Sequence, residues 1–98
     1  MPTNEPASEF FRDYAHLSAA QRAQFKRAVK EFVADLKTKR PFRAGLRVKS
    51  VVDHPNIFEI TWDKANGRAT FMYGSERIPG EAHIIWRRIG GHEIFDRP

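Results

Sequence analysis

The sequence predicts an α+β domain with two N-terminal helices packed on one face of a four-stranded antiparallel sheet. Three observations lead there. Phe25, Ala28, Val29, Phe32, Val33 and Leu36 fall at offsets 0, 3, 4, 7, 8 and 11, an uninterrupted helical stripe. Past Gly45 the apolar period changes from helical to two. No second helical stripe follows, so the helices gather before a meander of strands, and one sheet face is left for them to cover.

In chain order, residues 1–7 carry two prolines and read as a flexible leader to a single domain over residues 8–98. A short amphipathic helix is expected from about Ser8 to His16, with Phe10, Phe11 and Tyr14 on its apolar side. Ser18-Ala-Ala-Gln21 has the form of a capping box and opens the long helix. The stripe of that helix is core, and Arg22, Lys26 and Lys30 form its solvated face. Lys39-Arg40-Pro41 ends it, because the residue before proline disfavours helical geometry. Leu46 to Val52 is β-rich, and Asp53-His54-Pro55-Asn56 reads as a turn. Ile57 to Trp62 alternates, with Phe58, Ile60 and Trp62 on one side and Ile57, Glu59 and Thr61 on the other. Asp63 to Gly67 is a hairpin loop whose Asn-Gly pair readily takes positive φ. Arg68 to Tyr73 returns, Gly74 to Glu81 connects, and His83 to Ile89 is the last strand. The face opposite the helices is expected to lie open, where a site could sit.

Composition narrows the function classes. The chain has 98 residues, a net charge of +5 and no cysteine, so disulfides, thiol nucleophiles and cysteine zinc sites are excluded. No apolar run approaches the roughly 20 residues that span a bilayer. The N-terminus lacks the basic region and apolar core of a signal peptide, so a cytoplasmic protein is expected. A pI near 10.0 points to a polyanionic partner. From Lys37 to Lys49 there are six cations, among them Lys39, Arg40, Arg43 and Arg47, and no acid; this run is read as an electropositive patch. His16, His54 and His83 form no H-x-x-x-H pair. P-loop, dinucleotide and G-x-S-x-G motifs are missing, so the expectation is no metal and no cofactor.

The richest stretch is His83-Ile-Ile-Trp-Arg-Arg-Ile-Gly-Gly-His-Glu-Ile-Phe95. Arg87 and Arg88 end an apolar run, Gly90-Gly91 breaks the strand, and His92 follows with Phe95 three residues on. Cations, a group that titrates near neutral pH and an aromatic plane suit phosphodiester chemistry. Metal-free RNA cleavage needs a base for the 2′-hydroxyl, an acid for the leaving 5′-oxygen, and cations at the phosphoryl oxygens. His92 is the candidate acid and Glu59 the candidate base if it faces the site. Arg47 and Lys49, on one face of the first strand, are candidate phosphate contacts, as are Arg68, Arg87 and Arg88. In a regular strand Arg87 and Arg88 point to opposite faces, so one of them at most lines the open face. Phe95 could stack a base; Trp62, Tyr73 and Trp86 are core by preference.

Two helices before the sheet, the strand Asn56-Ile-Phe-Glu-Ile-Thr-Trp62, the return strand Gly67-Arg-Ala-Thr-Phe-Met-Tyr73 and the closing Ile89-Gly-Gly-His-Glu-Ile-Phe95 together resemble the RelE/ParE superfamily of bacterial toxins. The likeness runs from about Glu9 to Phe95. It implies a type II toxin–antitoxin module with a cognate antitoxin as partner. RelE-like members are ribosome-dependent endoribonucleases acting on mRNA; ParE-like members inhibit DNA gyrase instead. A third option is a non-catalytic nucleic-acid-binding domain of this fold. His92 and Phe95 match the family's functional basic residue and aromatic after the closing Ile-Gly. The family arginine of the return strand falls at Thr70, with Arg68 two residues earlier on the same face. Glu59 and Thr61 stand where RelE offers lysines. The family also tends to open with a strand, and none is read before Ser8.

Overall fold

Ser18 opens the long helix through both halves of its capping box. The Gln21 N–H donates to Ser18 Oγ at 3.1 Å and the Ser18 N–H to Gln21 Oε1 at 2.8 Å. The structure, a computed structural model, describes residues 2–39, 41–63 and 66–98. Helix α1 spans Ser8–Ala15 and α2 spans Ala19–Thr38. Lys39, at φ 56°, turns the chain out of α2 in left-handed geometry, its N–H bonded to Leu36 O. The predicted stripe faces inward: Phe25, Ala28 and Phe32 are buried, with Val29 and Leu36 packed at the margin. Phe32 is the hub. Its ring lies 5.0 Å from Phe42, 5.0 Å from Phe71 and 5.6 Å from Trp86. Phe10 of α1 joins through Phe25 and Trp86.

The sheet has five strands in mixed arrangement, one more than the sequence suggested. Strand β1 is Thr3–Pro6, β2 Lys49–Val51, β3 His54–Thr61, β4 Arg68–Gly74 and β5 His83–Gly90. Their order is β1-β5-β4-β3-β2, and β1 runs parallel to β5 while the other pairs are antiparallel. The expected leader therefore supplies an edge strand. Thr-Asn-Glu-Pro carries no apolar alternation, and proline is acceptable at an edge, so local pattern gives no sign of it. Backbone pairing and one clasp hold it. Thr3 N–H donates to Ala82 O and Ala7 N–H to Trp86 O. Buried His83 bridges Thr3 Oγ1 at 2.7 Å and Glu5 Oε1 at 2.8 Å, and Arg77 closes on the same Glu5 oxygen at 3.0 Å.

Two further expectations shift. Ala44–Leu46 is a 3-10 turn and Arg47 is left-handed at φ 48°, which shortens the first long strand to Lys49–Val51. The reversal after it is made at Val52-Asp53, with Asp53 at φ 63°, so His54-Pro55-Asn56 begin β3. At the β3–β4 hairpin Gly67 is required for space: a Cβ there would sit 2.5 Å from Trp62 Cε2. The positive-φ glycine among the described residues is Gly80.

Candidate nucleic-acid interface

Sheet register decides which side chains share the face away from the helices. Phe58 pairs with Phe71 and Ile60 with Ala69 on the helix side; the alternate pairs are Glu59 with Thr70 and Thr61 with Arg68. Lys49 pairs with Glu59, and Thr70 with Arg88. Lys49, Glu59, Thr70 and Arg88 thus form one row across four strands. Glu59 Oε1 lies 3.8 Å from Arg68 Nε and 4.0 Å from Lys49 Nζ, so the candidate base sits between two cations.

This face is not open. Glu59, Thr61, Arg68 and Thr70 are all buried. After Gly90-Gly91 the chain forms a 3-10 turn over His92–Asp96 and folds back across the sheet. Ile94, 1% exposed, is buried outside the helix-side core and packs near Gly90. Pro98 is buried too, and its main-chain oxygen accepts from Thr70 Oγ1 at 3.4 Å and Arg87 Nε at 3.1 Å. The Glu93 carboxylate caps the turn by accepting from the Gly91 N–H, which holds its pKa below the ordinary value.

Arg87 and Arg88 were expected on opposite faces, and here the structure differs. Thr70 pairs with Arg88 but Phe71 pairs with Trp86, so Arg87 is the extra residue of a β-bulge. The bulge re-aims the strand, and both arginines line one cleft of about 390 Å³ together with Arg12, His54 and Arg97. Asp13 of α1 steadies one wall. It receives Arg88 Nε at 2.6 Å and Nη2 at 3.2 Å, and it also receives the Ile89 N–H at 3.1 Å beyond the end of β1. This bidentate partner raises the Arg88 pKa above its ordinary value.

The remaining candidates lie apart from this cleft. His92 is exposed, edge-to-face with Phe95 at 5.7 Å. Arg47 is exposed at the 3-10 turn, outside β2, so it does not share a strand face with Lys49. Lys39 is exposed at the end of α2; Arg40 lies outside the described residues. The acid-free run is not acid-free in space. Arg43 donates from Nε and Nη2 to Asp35 at 3.0 Å and meets Glu31 at 3.4 Å. These bonds raise the Arg43 pKa and lower that of Asp35. Sequence reading missed Arg12, Arg97 and His54 as cleft residues, because none stands in a motif. Thr70 carried a signal, since it occupies the family's arginine position. Among the described residues no three His, Asp or Glu side chains gather as a metal site, and no helix is long and apolar enough to cross a membrane.

No family model and no curated protein matches the sequence. The fold nevertheless is shared with solved toxins of toxin–antitoxin systems. A copper-bound mutant toxin from Helicobacter pylori matches at a TM-score of 0.63 and 13% identity, over 95% of this chain and 97% of that one. The toxin of the E. coli DinJ-YafQ complex matches at 0.62 and 12%, over 94% and 93%. The RelB-RelE complex from Methanococcus jannaschii matches at 0.59 and 19%, over 95% and 96%. At these identities the likeness is one of fold.

Proposed function

We propose that this chain is the toxin of a type II toxin–antitoxin pair and acts in the cytoplasm as a ribosome-dependent endoribonuclease on mRNA. The observation that carries the reading is the fold, shared over about nineteen-twentieths of the chain with structures that include toxins complexed with antitoxins. The arginine-lined cleft supports a phosphodiester as ligand, and His92, outside its lining, sits on the turn that leads into its Arg97–Pro98 wall. In this reading the 2′-hydroxyl attacks the adjacent phosphorus and the 5′-oxygen leaves with a proton from His92. Arg87 and Arg88 neutralise the phosphoryl oxygens, and Phe95 stacks a base. Glu59 is the base and Arg68 its charged neighbour. Both are buried, so they meet substrate only when this part of the sheet face opens. An acidic antitoxin segment would cover the basic cleft, with an affinity that falls with salt.

That same burial favours a second reading: a binding protein without hydrolytic chemistry, directed at DNA gyrase or at nucleic acid. Mapping mRNA 5′ ends in a bacterial translation reaction separates the two. Codon-phased cuts that need translating ribosomes and vanish in His92→Ala are expected. Growth arrest without cuts, unaltered by His92→Ala, moves the assignment to gyrase.

A further inference from the structure

Helix α1 has two working flanks. One, with Glu9, Arg12 and Asp13, borders the arginine cleft; the other, with Phe11 and Tyr14, borders a groove of about 470 Å³ beside β1. The floor of this groove is apolar, with Pro6, Val29 and Trp86, and Phe11 stands at it 71% exposed. Its charged residues are Lys26 and Lys30, and no acid is among its described lining residues. The arginine cleft, by contrast, holds Glu9 and Asp13. The sign of the groove is built into α2. At about 100° per residue, Arg22, Lys26, Lys30 and Lys37 fall within about 80° of one another around the helix. The acids of α2, Glu31 and Asp35, lie on another flank, and both meet Arg43. Arg22 fastens α1: it donates to Tyr14 O at 3.3 Å and Ala15 O at 3.0 Å, and its guanidinium covers the Tyr14 ring at 5.4 Å. On the facing strand Glu5 is turned away and held by His83, so β1 offers the groove Asn4 and Pro6.

We infer that this groove binds single-stranded RNA beyond the cleft, with a base stacked on Phe11 and neighbouring phosphates on Lys26 and Lys30. An aromatic platform beside a cationic wall is the general means of holding an unpaired strand without reading its sequence. The two lysines stand one helical turn apart, about 6 Å, a step comparable with that between neighbouring phosphates of one strand. A duplex keeps its base faces stacked on one another, so Phe11 selects an unpaired strand. An amphipathic peptide helix fits less well. It presents its anchors over two turns, about 10 Å, whereas the α2 wall runs from Phe25 to Lys30, about 8 Å. The inference rests on RNA as the substrate but not on cleavage, and no arginine of the cleft takes part.

A single-stranded oligodeoxynucleotide of about twelve residues is the probe, since it lacks the 2′-hydroxyl and cannot be cut by this chemistry. Phe11→Ala, at an exposed position, is expected to weaken its Kd about tenfold, and Phe11→Trp to keep it. Joint Lys26→Gln and Lys30→Gln is expected to lower the salt slope of binding by about 1.4. Arg27→Gln, an equal loss of charge on the flank of α2 that lines a different cavity, should leave Kd and slope unchanged. Binding of a duplex of the same sequence should not respond to Phe11→Ala. No binding by the parent, an unchanged Kd in Phe11→Ala, or an Arg27→Gln loss equal to that of each lysine overturns the groove. An acidic amphipathic peptide that loses affinity in Phe11→Ala, while the oligonucleotide does not, makes the groove a protein site and overturns it too. The map of mRNA 5′ ends keeps this apart from the nuclease reading. Groove binding in a chain that cuts no mRNA leaves the groove standing and removes only the nuclease. Cutting by a chain whose Kd ignores Phe11 removes only the groove.

Discussion

The two faces of the sheet are buried by different means and for different reasons. On the helix side an aromatic cluster of Phe10, Phe25, Phe32, Phe71 and Trp86 packs ring on ring, and each ring removed from water adds stability. On the other side Glu59, Thr61, Arg68 and Thr70 are buried polar groups, and Thr70 donates to the Pro98 main-chain oxygen. Burying ionic and hydroxyl groups is at best neutral for stability compared with apolar residues of the same shape. One face holds the fold by apolar packing; the other keeps Glu59 and Arg68 out of water as a pair.

The comparison breaks most severely at its apolar side. Phe32→Ala, which removes a fully buried ring from three aromatic neighbours, is expected to cost about 3–5 kcal/mol in denaturant unfolding. A loss under about 1 kcal/mol would mean that the helix-side cluster is not the stabilising face. Next comes the edge between the faces. Asp13→Ala leaves Arg88 and the Ile89 N–H without their shared acceptor, for an expected loss of about 1–3 kcal/mol. Thr70→Val should change stability by less than about 1 kcal/mol, because its bond to Pro98 is long, at 3.4 Å. A large loss there would make the tail-side row structural.

Charge sharpens the same contrast. Arg87→Ala is expected to lower the salt slope of oligonucleotide binding by about one, whereas Arg43→Ala should leave it unchanged, since Asp35 already neutralises Arg43. Equal effects would restore the Lys37–Lys49 run as a patch. The smallest effect is at the β1 edge. A hydrogen bond with His83, aided by Arg77, holds the Glu5 pKa below its ordinary 4.5. A carboxylate depressed on folding contributes stability that is full above its unfolded value and is lost as pH falls through the folded one. Melting temperature should therefore drop below about pH 4.5 more in the parent than in Glu5→Gln, and the two curves should run parallel from pH 5 to 8.

Both helices, the capping box at Ser18, the core stripe and the β3–β4 hairpin were legible in the sequence, because each is specified by residues a few positions apart. The opening strand was not: Thr3–Pro6 has no pattern of its own and is defined by β5, some 80 residues away. The site followed the same division. Composition and the order Arg87, Arg88, His92, Phe95 pointed to anionic chemistry, since charge and residue type survive in any fold. Which cations are available was settled in space. Asp35 reaches Arg43 and Asp13 reaches Arg88, and a single extra residue in β5 turns Arg87 and Arg88 toward one cleft. Sequence by itself determined both helices, the core stripe and the chain's net positive charge, because helical and strand periods and net charge are local or summed quantities. Only the tertiary structure decided that Thr70, Arg87 and Arg88 meet the main chain of residues 97–98, because that contact joins segments whose partners no local rule identifies.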